Sequence, residues 1–235
     1  MKLTHAAAQH RSSPMLSFFR NRYLDVLGSI YIYNEHRGYT SIDRVLAAVR
    51  RRWPEDVAFI AEIERHRHDE RKHYLLFRRW FEKRGRMPME VDRTCGHIDR
   101  LVRLTFGCHV DDLDQDQVVT DPALFAKLCR IIMLTEQRGM RQVDILLQSS
   151  MIHGDPQLHK IFTVIEKDEP SHWTPYEGWL KRNQGGEPTL GERIADWIVH
   201  RTLLVVKLPA LYLNPFVRHR TDWQDSNEPR GAVAA

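Results

Sequence analysis

Cysteine is scarce in this chain: Cys95, Cys108 and Cys129 are the only ones among 235 residues, an odd number with no Cys-x-x-Cys pair. That scarcity argues against a disulfide framework. Cys95 with His97, followed by Cys108 with His109, has the wrong ligand spacing for structural zinc. The first residues, MKLTHAAAQHRSSPM, hold no apolar stretch long enough for a signal peptide, so a cytoplasmic protein is expected. Long hydrophobic runs are missing too. The most apolar segment, residues 190–213, still carries Glu192, Arg193, Asp196, His200, Arg201 and Lys207, too many charges for a membrane span. What remains is 42% hydrophobic and 28% charged residues with a formal charge of +4. This is an ordinary composition for one sizeable core with extensions, and the charge says little about partners.

Proline and glycine supply the punctuation. Trp53-Pro54, Asp121-Pro122 and Asp155-Pro156 place proline where the first turn of a helix tolerates it, the last two behind an aspartate suited to N-capping. Gly85 and Gly154 fall at plausible ends. Four long helices are predicted, over about 14–52, 54–84, 122–152 and 156–182, and apolar residues such as Leu124, Leu128, Ile131 and Ile132 recur at helical spacing. Between Gly85 and Asp121 lie about 35 residues, with room for a short helix from His97 to Phe106. Such length suits a crossover running along a four-helix bundle better than a plain loop.

The informative feature is a repeat. HDERKHY at 68–74 and KDEPSHW at 167–173 share Asp-Glu-x-x-His-aromatic, 99 positions apart. YNEHRG at 33–38 and LTEQRG at 134–139 share Glu-x-Arg-Gly, 101 positions apart. The midpoint of Glu35 and Glu70 falls beside Trp53-Pro54, and that of Glu136 and Glu169 beside Gly154. In each antiparallel hairpin the lone glutamate should therefore face the Glu-x-x-His at one height. Residues i and i+3 share a helix face, so Glu70 projects with His73 and Glu169 with His172. Four carboxylates and two imidazoles can hold two divalent ions in a neutral buried cluster, and oxygen-rich ligation with imidazole suits iron or manganese. Asp69 and Asp168, four residues before each histidine, are placed to orient an imidazole of the opposite hairpin. Gly38 and Gly139 would sit inside helices, where a close approach of the first and third helices would offset their cost.

This arrangement resembles the ferritin-like di-iron carboxylate superfamily, whose pattern is Glu, Glu-x-x-His, Glu, Glu-x-x-His. The motifs span residues 35 to 172. The resemblance implies an all-α, ferritin-like four-helix bundle over residues 1–185, with one long crossover, followed by an apolar and basic C-terminal helical extension over 186–235. It implies Glu35, Glu70, His73, Glu136, Glu169 and His172 as metal ligands, the four glutamates also tuning the chemistry. The implied cofactor is two iron ions, or iron with manganese. Pro170 departs from the pattern, because it sits inside the second Glu-x-x-His, where it can end the fourth helix or kink it. A kink is the expectation.

Within that superfamily the first reading is an oxygen-activating oxygenase or hydroxylase of a hydrophobic or lipid-like substrate, supplied with electrons by a donor protein or reductant. Resemblance to the demethoxyubiquinone hydroxylases would fit the apolar tail. Alternatives are an iron-handling ferroxidase, a rubrerythrin-like peroxidase, a tRNA-base hydroxylase using the arginine-rich second helix, or a scaffold without metal. Glu62, His66 and Glu166 lie near the ligand faces and are expected to be solvated or satisfied polar residues. Tyr31 and Tyr39 flank Glu35, while Met133 and Met140 flank Glu136, all expected in packing. The 190–213 segment is expected either to pack on the bundle, to form a homodimer contact, or to lie on a membrane surface beside Arg218 and Arg220.

Overall fold

The computed structural model describes residues 14–226. Four long helical rods dominate them. The first, α1 (Pro14–Arg52), packs along α2 (Val57–Lys83). Pro54 lies in the turn between them rather than in the first turn of α2. Asp56 caps α2 instead, its carboxylate accepting from the Phe59 N–H at 3.2 Å. After α3 (His97–Phe106) and α4 (Gln115–Thr120) comes α5 (Pro122–Leu147), capped by Asp121 as its Asp-Pro sequence predicts. It stops short of Ile152, and a separate turn, α6 (Ser150–His153), follows. The fourth rod is double: α7 (Pro156–Asp168) and α8 (Pro170–Arg182).

The rod is interrupted at Pro170 and resumes at once. Pro170 has no N–H for the Glu166 carbonyl, yet Glu169 keeps helical backbone angles (φ −47°, ψ −45°) and the His172 N–H reaches the Glu169 carbonyl at 2.9 Å. His172 is fully buried in consequence. α7 and α8 together pack on both α5 and α2, which joins the two hairpins.

Along α2 the buried residues change character in layers. Phe59 and Ile63 join one apolar cluster with Phe125 and Tyr176, while Phe77, Trp80 and Phe81 join another with Phe162 and Leu158. Between the two lie His66, Glu70 and His73, all buried. A polar layer is thus clamped between two apolar ends.

The crossover follows α1 lengthwise. The Asn34 carboxamide accepts from the His97 N–H at 2.8 Å, Arg37 forks onto Asp99 at 2.7 and 3.2 Å, Arg44 donates to the Val110 carbonyl at 2.8 Å, and Arg51 donates to Asp116 at 2.6 Å. Positions 34 to 51 correspond to about 26 Å of helix. The short helix expected at His97–Phe106 is α3 itself.

Beyond α8, Thr189 and Glu192 form a capping box that starts α9 (Leu190–Thr202). A π-helical stretch at Leu203–Lys207 leads into α10 (Leu208–Leu213). α9 packs on α3 and α5, and α10 packs on α1. The packed face of α9 joins buried charge to the apolar Val199. Glu192 and Asp196 point inward to Arg130 and Arg138, each pair at 2.8 Å, while Ile194, Trp197, Ile198 and Val205 face out. Among the described residues no helix is long and apolar enough to cross a membrane, and the only strand-like pairing is a bridge between Met89 and His219.

Candidate metal centre

The buried layer gathers the repeated motif from both hairpins. Among the described residues, two groups of side chains could hold a metal ion: Glu35, Glu70 and His73; and His66, Glu70, Glu136 and His172. Within each group the ligand atoms lie within 4.8 Å of one another, and Glu70 belongs to both. Five of the six predicted ligands therefore converge in these groups. Glu169 stands at their edge, its Oε2 3.7 Å from His172 Nδ1.

His66 joins the second group. It was expected to be an ordinary polar residue, but it is fully buried, its ring stacked on that of His172 with centroids 4.4 Å apart, and its Nε2 is 3.8 Å from both Glu70 and Glu136. A signal was available: His66, Glu70 and His73 occupy positions i, i+4 and i+7 of one helix face. The repeat hid it, because the position 99 residues later is Ile165. Glu62 and Glu166 are half-buried and outside both groups.

His66 and His73 each present one nitrogen to the carboxylates and hydrogen-bond through the other, and His172 turns its second nitrogen toward Asp69. His73 Nδ1 is 3.3 Å from Glu35 and its Nε2 is 3.0 Å from Asp168. His172 Nδ1 is 3.3 Å from Glu70, with Nε2 3.7 Å from Asp69. His66 Nε2 faces the carboxylates and Nδ1 meets the Tyr176 hydroxyl at 3.1 Å. Asp168 and Asp69 each reach across to the opposite hairpin. Lys72, which sequence reading missed, contacts both: its Nζ is 2.7 Å from Asp168 and closer still to Asp69. Such outer partners fix ring orientation and leave one nitrogen free for a metal.

Gly38 explains how Glu70 fits. A Cβ built on Gly38 would lie 1.9 Å from Glu70 Oε2, whereas one on Gly139 would lie 3.6 Å from Glu169 Oε1. The nearest atoms at both glycines are these carboxylates and not the facing helix. The expected close approach of the first and third helices is therefore replaced by space for the glutamates.

Burial, then the neighbouring Glu35 charge, pushes Glu70 up to about 7, and burial with Glu136 holds Glu169 well above the usual carboxylate range. Burial would lower His73, but Asp168 and Glu35 override it and raise the imidazole to about 9. His172 is raised against burial by Asp69, Glu136 and Glu70. His66 is lowered to about 3 by burial and then by His172, and Glu136 is lowered against burial by His172 and His66. Buried, mutually close carboxylates hold protons more tightly than free ones. His66 Nε2, His73 Nδ1, both ring nitrogens of His172 and Glu169 Oε2 are buried without a hydrogen-bond partner. The donor set fits divalent metal ions.

A cavity lies between α1 and α5 and reaches Glu35, Glu70, Glu136 and Glu169. Its walls are largely apolar, with Ile42, Val45, Val102 and Leu128 among them. Tyr31 lines it too, its hydroxyl buried without a partner; Tyr39 is buried in the core. Comparison with protein-family models, curated proteins and solved structures returns no match. What stands is an all-helical protein with a buried glutamate–histidine centre able to hold metal.

Proposed function

We propose that the protein is a ferritin-like di-iron oxidoreductase that uses oxygen to hydroxylate or otherwise oxidise a hydrophobic substrate. The observation that carries this reading is the pair of ligand groups sharing Glu70 at the floor of an apolar cavity. Glu35, Glu70 and His73 would hold one iron, and His66, Glu70, Glu136 and His172 the other, with Glu169 able to swing onto the second. Two reduced irons supply the electrons and the open coordination positions that oxygen chemistry needs.

The chain's own residues do the rest. Asp168 orients His73 by a hydrogen bond, while Asp69 faces His172 Nε2 at 3.7 Å. Tyr176 orients His66. The apolar clusters on either side of the layer keep water from the cluster, and the α1–α5 gap, roofed by α3, admits substrate beside the four glutamates. A cavity of this kind favours an oxidase over iron storage.

Metal per chain, measured on protein from iron-supplemented cells, tests the reading. About two irons are expected in the wild type and about one or fewer in His172→Ala. Absence of iron, or a content indifferent to His172, would sink it.

A further inference from the structure

The cavity has one polar edge that the carboxylate cluster does not use. On α5, Thr135, Arg138 and Gln142 follow at i, i+3 and i+7, and all three line it. Arg138 is 5% exposed, and its Nε is taken by Asp196 at 2.8 Å, but its Nη2 is buried with no partner. Opposite, from α3, comes His97, 6% exposed, whose Nε2 is likewise buried and unpartnered. Leaving such donors unsatisfied is costly. Both are built in firmly: Asn34 accepts from the His97 N–H, and the fork of Arg37 on Asp99 pins α3 to α1. Arg100 and His200 lie beside His97, and Asp196 pairs with Arg138.

The far end of the cavity differs. Val45, Val110, Leu113 and Leu128 line it without charge. Asn34, at the polar end, and Val45 are separated by about 16 Å along α1, with Glu35 and Gly38 between them. We propose that the substrate is a carboxylate-bearing amphiphile, its anionic head held by Arg138 and His97 and its apolar body laid past the glutamates toward Val45 and Leu128. The guanidinium offers a charged donor that suits a carboxylate oxygen, and His97 a second donor across the gap. This rests on the reading of the cluster as the reaction centre, since it is what places the body of the ligand beside it.

Binding of decanoate and of 1-decanol to the full chain, by calorimetry, tests the proposal in both chelator-treated and iron-loaded protein. Decanoate is expected to bind about tenfold more tightly than the alcohol in both forms, the effect of a charge-assisted hydrogen bond. The double variant Arg138→Gln with Asp196→Asn removes the guanidinium without orphaning its buried partner, and should erase the preference while keeping helical circular dichroism. His97→Phe, which breaks no existing side-chain bond in the structure, should weaken decanoate binding and leave decanol unchanged. Equal binding of the two ligands, or a preference indifferent to both variants, overturns the proposal. Decanoate binding that requires iron also overturns it, since the head then sits on metal, while the di-iron reading stands. A preference retained by a protein that takes up no iron supports the head-group site and removes only the di-iron reading.

Discussion

Gly38 and Gly139 hold equivalent places in the two halves of the repeat, yet the structure asks different things of them. A methyl on Gly38 would strike the Glu70 carboxylate at 1.9 Å, and one on Gly139 would meet Glu169 at an ordinary 3.6 Å. The obstacle at Gly38 is the end of a flexible side chain, so Gly38→Ala should fold but turn Glu70 away. Because Glu70 serves both ligand groups, its metal content is expected to fall by half or more. Gly139→Ala should keep its metal and gain about 1 kcal/mol of stability from helix propensity. Metal analysis with thermal unfolding of both variants checks this, and loss of metal in Gly139→Ala alone would reverse the assignment.

At the scale of the element, the break between α7 and α8 falls three residues before the buried His172. Pro170 withholds a donor from the Glu166 carbonyl, and the break lets His172 enter the layer from α8 while Glu169 sits at the corner. Pro170→Ala would allow the ladder to close across the break. The metal-free variant should unfold at a temperature no lower than the wild type, with a gain of up to about 3 kcal/mol. Its metal affinity should drop, because His172 Nδ1 leaves its 3.3 Å position against Glu70. A variant that closes the ladder without losing affinity would show that the break does not set the ligand geometry. α9 acts at the same scale: Glu192 and Asp196 are buried against Arg130 and Arg138 beside the apolar contact of Val199 with Ile131 and Leu101, so charge and packing together fix it on α5 and α3.

For the molecule as a whole, the cluster stores its own pH dependence. His73 is raised from 6.5 to about 9, so folding without metal gains from its proton below the ordinary histidine range and loses that gain as pH climbs toward 9. Glu70, raised to about 7, has the same sign, and its contribution is lost as pH rises through neutrality. The unfolding temperature of chelator-treated protein should therefore fall between about pH 7 and about pH 9. Bound metal replaces the protons, so the loaded protein should change less over that interval and show its largest metal-induced gain at the alkaline end. An unfolding temperature that is flat or rising for the metal-free form would contradict this balance.

Much of this architecture was legible in one dimension. Helix starts at Pro122 and Pro156 follow from a proline behind a capping aspartate, which is local chemistry, and the pairing of Glu35 with Glu70 follows from equal distance to a turn. Local rules carry such information because capping and helical periodicity involve neighbours within a few residues. His66, Lys72 and the Arg138–His97 edge were not legible. His66 has no counterpart in the repeat, Lys72 matters only because two aspartates from different hairpins meet over it, and Arg138 and His97 face each other across 41 positions of sequence. The sequence by itself determined the helices, their turns and the doubled ligand motif. Only tertiary packing decided which carboxylate is shared, which imidazole joins it and where the cavity opens, because those depend on side chains brought together from separate helices at distances of a few ångströms.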